Sequence, residues 1–368
     1  MNHHHVLVAL HEMEGIGWKT IQRLTDYFPD LAELAGLTPG QLAALRLAPG
    51  KAELLSRGLS RDYLNRIEEA YADSVVVPIA RGDEEYPPLL NETAAPPWVV
   101  YTIGRRGLLG KYSIAMVGTR TPTVYGKRIA SRMAEELSCS GVCVVSGLAR
   151  GIDGEAHEGA LKGEGSTIAV LGCGINVIYP REHTLLYRKI AEQGLIVSEY
   201  PPGTPAAQGL FPQRNRIIAG LTLGTVVVEA AAKSGSLITA KYAEGEFREV
   251  FAVPGQITSP KSRGTHDLIR EDGAKLVTSA ADILKEFGHL PGMGRNSLET
   301  LAYTREYLPA LTAEEERVAA VLADGPASID ELIERLQTNF GHLHSILLSL
   351  QLKKRIGQLP GSLYMLLS

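Results

Sequence analysis

"YSIAMVGTRTPTVYGKRIASRMAEELSCSGVCVVSG", residues 112–147, sets a short apolar run, an amphipathic stretch and a second apolar run end to end. Neither run alternates polar with apolar residues, so each suits a strand buried on both faces of a parallel sheet. The stretch between them is long enough for the crossover helix that parallel strands require. The same rhythm continues through "STIAVLG" (166–172), "LIVSEY" (195–200), "TVVVEA" (225–230) and "EVFAVPG" (249–255). It predicts an α/β fold built on a Rossmann-like, doubly wound, mostly parallel sheet.

Texture changes on either side. Residues 1–72 read as short helices, with a Gly-Ile-Gly turn at 15–17, Thr38 as an N-cap and Pro39 at the first helical position. They form a small N-terminal helical domain of the helix-hairpin-helix or SAM-like kind. Residues 73–110 carry two proline-broken strand runs that lead into the sheet, giving one extended Rossmann-like domain over 73–287. A Gly/Pro-textured linker follows at 288–311. Residues 312–368 give three helices and a turn-centred hairpin, the outline of a winged helix. Its third helix carries Lys353, Lys354 and Arg355 only at its end. A groove-reading helix presents such residues from its N-terminal half, so a protein-contact or structural role is expected here.

At 368 residues, 45% hydrophobic and 21% charged, the chain is in the ordinary globular range. No apolar stretch is long enough for a membrane helix, and no basic residue precedes the first apolar run as a secretion signal demands. Cys139, Cys143 and Cys173 form no CxxC pair, as expected of a cytoplasmic protein. His3, His4 and His5 lack partners at ligand spacing, so no metal and no cofactor is expected. Net charge is −4, yet residues 111–151 hold six cations against Glu135 and Glu136. A mildly acidic protein can thus present a basic groove.

Ligands of such sheets sit in the loops after the strands. "GTR" offers Gly118, Thr119 and Arg120, a tight turn, helix-start N–H groups and a phosphate-binding guanidinium. Arg120 occupies the second glycine position of a dinucleotide fingerprint, which disfavours an NAD enzyme. "SGLARGIDGEAH" supplies Ser146, Gly147 and Arg150. Its Asp153 and His157 suggest an acid–base pair, but the nucleophile elbow is missing and a structural role is expected. "FPQRNR" groups Phe211, Arg214, Asn215 and Arg216 as phosphate and base ligands. "KSGSL" places Lys233, Ser234, Gly235 and Ser236 at a helix start; Val227 and Ala232 at the glycine positions rule out a Walker loop.

In this order "GTR", "SGLARGIDGEAH", "LGCGINVIYPREH", "SEYPPG", "FPQRNRIIAG", "VVVEAAAKSGSLITA" and "FAVPG" resemble the DNA processing protein A family (DprA, also called Smf), over roughly residues 75–285. The resemblance implies a non-enzymatic single-stranded DNA binder, with no catalytic residues. It would dimerise and deliver the RecA recombinase to DNA taken up in natural transformation, with single-stranded-DNA-binding protein as a further partner. Carried over by motif, the DNA ligands are Arg120, Arg181 of "YPREH", Phe211, Arg214, Arg216 and Lys233. Gln208 stands where some members carry lysine, so a phosphate contact is either absent here or supplied by Lys241 or Arg248. Neutralising about five phosphates would give log K against log salt a slope near −3.5, at roughly −0.7 per phosphate. Leu268 and Ile269, in a short amphipathic element, are the expected self-pairing surface.

Two other readings compete. A nucleoside-monophosphate phosphoribohydrolase shares this fold and ends a strand in a glutamate like Glu229, but "AGLTLG" lacks its paired glycines. A regulatory protein would sense a nucleotide in the sheet domain and bind duplex DNA through the winged helix.

Overall fold

The computed structural model describes residues 3–45, 47, 50–291, 311–353, 355–359 and 363–366. Five helices come first: α1 (His3–Glu12), α2 (Trp18–Tyr27), α3 (Pro39–Ala44), α4 (Lys51–Gly58) and α5 (Arg61–Ala72). Thr38 caps α3 as expected, its hydroxyl accepting from Gln41 N–H while the Gln41 amide oxygen accepts from Thr38 N–H. The chain then makes β1 (Val77–Ala80), α6 (Pro88–Asn91) and β2 (Val99–Gly104).

The alternating region opens with β3 (Ser113–Val117), α7 (Val124–Cys139), β4 (Cys143–Ser146), α8 (Ile152–Ala160), β5 (Thr167–Leu171), α9 (Thr184–Gln193) and β6 (Leu195–Ser198). It continues through α10 (Leu210–Gly220), β7 (Gly224–Val227), α11 (Ser236–Gly245), β8 (Glu249–Ala252), α12 (Arg263–Arg270), β9 (Lys275–Leu276) and α13 (Ala280–Glu286). The strands form one sheet in the order β1-β2-β6-β5-β4-β3-β7-β8-β9. From β6 to β9 neighbours run parallel, while β2 joins β6 and β1 joins β2 antiparallel. The proline-broken lead-in therefore closes one edge of the sheet.

Side chains of a strand alternate between faces, and both faces are covered. Val99, Tyr101, Ala169 and Leu171 enter one core; Val100, Ile168, Val170 and Val197 enter the other. The first core also takes in Val6, Leu7, Leu10, Ile21 and Leu24, so the N-terminal helices and the sheet share it. A buried polar cluster joins them too: Tyr71 donates to Glu12, Tyr101 Oη donates to Glu12 Oε1 at 3.1 Å, and Trp18 Nε1 donates to Pro96 O at 2.7 Å.

The chain divides into two compact units, Met1–Leu298 and Glu299–Ser368. The second contains α14 (Ala313–Ala323), β10 (Ala327–Ser328), α15 (Ile329–Leu336), α16 (Phe340–Leu352), β11 (Ile356–Leu359) and β12 (Leu363–Leu366). Strands β10, β12 and β11 make a small antiparallel sheet beside the three helices, the winged-helix arrangement. Its own core gathers Val318, Leu322, Leu332, Leu347 and Tyr364. Most of the expected linker, 292–310, lies outside the described residues. No described helix is long and apolar enough to cross a membrane.

Candidate nucleic-acid interface

Strands β3 and β7 are neighbours, yet the chain leaves β3 toward β4 and reaches β7 only after returning from β6. The order reverses there, and a crevice opens beyond the carboxyl ends of the two strands. It holds a cleft of about 480 Å³. Arg120, exposed in the loop after β3, lies over the Phe211 ring at 5.9 Å from its centroid. Phe211, in the first turn of α10, tilts against Tyr179 with ring centroids 5.2 Å apart. A Cβ at Gly172 would stand 2.6 Å from Phe211 Cδ1, so a side chain there would displace the ring.

Opposite these rings, Ser234, Gly235 and Ser236 line the cleft at the start of α11. The hydroxyls of Ser234 and Ser236 are 2.8 Å apart; the Ser236 N–H donates to Ser234 Oγ at 3.4 Å, and the next two N–H groups donate to Ser234 O and Gly235 O. Two hydroxyls at a helix start, each able to donate, suit an anion. Lys233 is exposed beside them.

Arg214 has a different place from the expected one. It is 4% exposed, and its Nη1 donates to Gly147 O at 2.6 Å and to Val170 O. A Cβ at Gly147 would stand 2.5 Å from the guanidinium, which explains that glycine. Burial lowers the Arg214 pKa and raises that of Asp153, while their mutual attraction opposes both shifts. The Asp153 carboxylate accepts from the N–H groups of Gly147 and Ala149 at 3.2 and 3.4 Å. The pair thus fixes the loop after β4 from below.

The suspected acid–base arrangement does not form. His157 is fully buried, takes the Leu148 N–H on Nε2 at 3.2 Å and meets Thr167 Oγ1 from Nδ1 at 2.7 Å. Burial lowers its pKa to about 3, so it is neutral. Leu148 sits at φ 54, held on both sides by histidines, since His183 Nδ1 reaches Leu148 O at 3.0 Å. The Ser146 hydroxyl is buried and donates to Met116 O at 2.6 Å.

Of the remaining expected ligands, Gly118 and Asn215 line the cleft, and the Thr119 backbone N–H is spent on Glu229 O at 2.7 Å. Arg150 is exposed but paired with Glu182, and Arg181 is exposed two residues after Tyr179, at the head of a short 3₁₀ turn. Arg216 pairs with Glu199 away from the cleft. Lys241 is exposed on α11 outside the lining, and Arg248 is bound to Leu89 O and Glu92. Leu268 is 4% exposed inside the sheet's second core and cannot pair with another copy; Ile269 packs partly buried against that core. Gln208 does line the cleft. Tyr179 was missed by sequence reasoning, though an aromatic after strand β5 in "VIYPREH" was available as a signal. Glu229 is buried, and its Oε2 accepts from Thr123 N–H at 2.8 Å.

A switch-point cleft lined by the Arg120 guanidinium, a pair of aromatic rings and two serine hydroxyls at a helix start is the ligand crevice of a Rossmann-like protein. Residues 78–288 match the family model of DNA recombination-mediator protein A, and residues 304–362 match the DprA winged helix domain. Protein Smf of Escherichia coli is 41% identical over 288 residues, 77% of this chain and 75% of that protein. The X-ray structure of DNA processing protein A from Streptococcus pneumoniae superposes with a TM-score of 0.68 at 34% identity, covering 78% of this chain and 99% of that one. A Helicobacter pylori DNA processing protein A, whose structure describes its single-stranded DNA binding mode, gives 0.53 at 30% identity over 58% of this chain and 95% of that one. The chain belongs to the DNA recombination-mediator protein A family.

Proposed function

We propose that this protein binds single-stranded DNA in the switch-point cleft and hands it to the RecA recombinase in natural transformation and homologous recombination. It acts in the cytoplasm as a homodimer, meets single-stranded-DNA-binding protein on the same strand, and carries out no catalysis. The observation that carries the reading is Arg120 over Phe211, with Tyr179 against that ring, in a cleft also lined by Ser234 and Ser236 at the α11 start. Rings that accept any base beside cations that accept phosphate are what an unpaired strand requires. The relatives named above support it, one of them by its own single-stranded DNA binding mode.

Against a phosphoribohydrolase stands Glu229, buried and committed to the loop before α7. The test is titration of labelled oligo-dT against wild type, Arg120→Ala and Lys233→Ala, each variant binding roughly tenfold more weakly. Release of free base from nucleoside monophosphates would contradict the non-enzymatic reading. For the dimer, an unchanged solution mass for Ile269→Glu would remove α12 as its surface.

A further inference from the structure

A second cavity, of about 420 Å³, lies between the N-terminal helices and the sheet domain. Its size is that of a small-molecule or nucleobase site. Trp18, Tyr200 and Tyr242 line it half-buried, with Trp98 beneath them. The two indoles are held in place: Trp18 Nε1 donates to Pro96 O at 2.7 Å, and Trp98 Nε1 donates to Trp18 O at 3.1 Å. Their faces are therefore set before any ligand arrives. The polar wall is Gln213, exposed, and the Arg216–Glu199 ion pair.

We infer that this groove takes a nucleobase of the same DNA strand that occupies the switch-point cleft, so that the bound strand crosses the first turn of α10 into it. The inference rests on the single-stranded DNA reading above. Pro212 lines the first cavity and Gln213, the next residue, lines the second, so one turn of α10 has a residue in each. Aromatic walls suit the π-face of a base. The wall's charges cancel within the Arg216–Glu199 pair, which favours a neutral base over a phosphate. Carboxylate, guanidinium and amide can each pair with a base edge. Lys19, exposed in the first turn of α2, follows groove-lining Trp18 in the chain and is the cation offered to the phosphate. The Gly-Ile-Gly turn thereby gains a role, since Ile16 and Gly17 form one lip of the groove.

The chain's two tryptophans both line this groove, so their emission reports its occupancy directly. Labelled oligo-dT of about four and about twelve nucleotides, bracketing common single-strand site sizes, are titrated with anisotropy and tryptophan emission read together. The longer oligonucleotide is expected to raise anisotropy and quench tryptophan with one midpoint; the shorter raises anisotropy with little quenching. Gln213→Ala and Tyr242→Ala are each expected to weaken the longer one roughly tenfold and to leave the shorter unchanged. A rise in anisotropy with unaltered emission overturns the groove assignment and leaves the first cleft standing. Quenching that persists at wild-type affinity in both variants overturns it as well. No anisotropy change with either length overturns both readings.

Discussion

Arg214 and Arg216 stand two residues apart in "FPQRNR" and look interchangeable as phosphate ligands, yet they face different places. Successive residues of an α-helix are turned by about 100°, so two residues apart point to nearly opposite sides. Arg214 turns inward to Gly147, Val170 and Asp153, whereas Arg216 turns to Glu199 and the groove. Arg214→Ala should therefore cost about 3–5 kcal/mol in urea unfolding, because it strands the buried Asp153 carboxylate. Arg120→Ala, an exposed change, should stay within about 0.5 kcal/mol while weakening DNA binding. Gly172→Ala tests the ring: its Cβ would meet Phe211, and affinity should fall as it does in Phe211→Ala, whose lost stacking is about 1–3 kcal/mol. His157 has a folded pKa near 3 against 6.5 unfolded, so its contribution is complete above pH 6.5. As pH falls from 6.5 toward 3 the unfolded chain takes the proton first, and stability drops by up to about 1.4 kcal/mol per pH unit. Unfolding midpoints followed over that range, with His157→Gln lacking this component, check the assignment. Residue types were legible in the sequence; which side of α10 each one faced required the helix's direction, and Tyr179 required the path of its loop.

Strands were legible because burial on both faces writes unbroken apolar runs, and each of the six runs became a strand of the parallel sheet. The two-residue β9 was not, being too short to carry a pattern. Nor could α12 be read correctly: "THDLIR" looks like an outward apolar pair, but Leu268 is drawn into the core beneath β8. The winged helix is informative through α16. Phe340, His344, Leu348 and Leu352 are exposed at four-residue spacing, and His344 stacks on Phe340 with centroids 5.8 Å apart. One helix face is thus apolar where a groove reader would be basic. Removing residues 312–368 should leave affinity for single strands and for duplex unaltered in parallel titrations; a selective loss of duplex binding would restore the regulatory reading.

The N-terminal helices look separable by texture, but Leu7, Leu10, Ile21 and Leu24 share one core with Tyr101 and Ala169. Sequence texture marks where composition changes, whereas a shared core is set by tertiary contacts it does not display. Deleting residues 1–72 should strip that core and yield an aggregating or dye-binding product; a cooperatively folded, monodisperse remainder would show the two parts to be independent. The proposed DNA contact likewise belongs to the assembled molecule, since Arg120, Arg181 and Lys233 come from loops after different strands and Lys241 from α11. With Arg214 buried and Arg150 and Arg216 already paired, these exposed cations remain for phosphates, fewer than the sequence alone suggests. The slope of log K against log salt for oligo-dT is the direct measurement. Three to four neutralised phosphates give a slope of roughly −2 to −3, less steep by about 0.7 in Arg120→Ala and in Lys233→Ala. A slope near zero, or the wild-type slope in both variants, would contradict a strand held by Arg120 in the switch-point cleft and by the exposed cations around it.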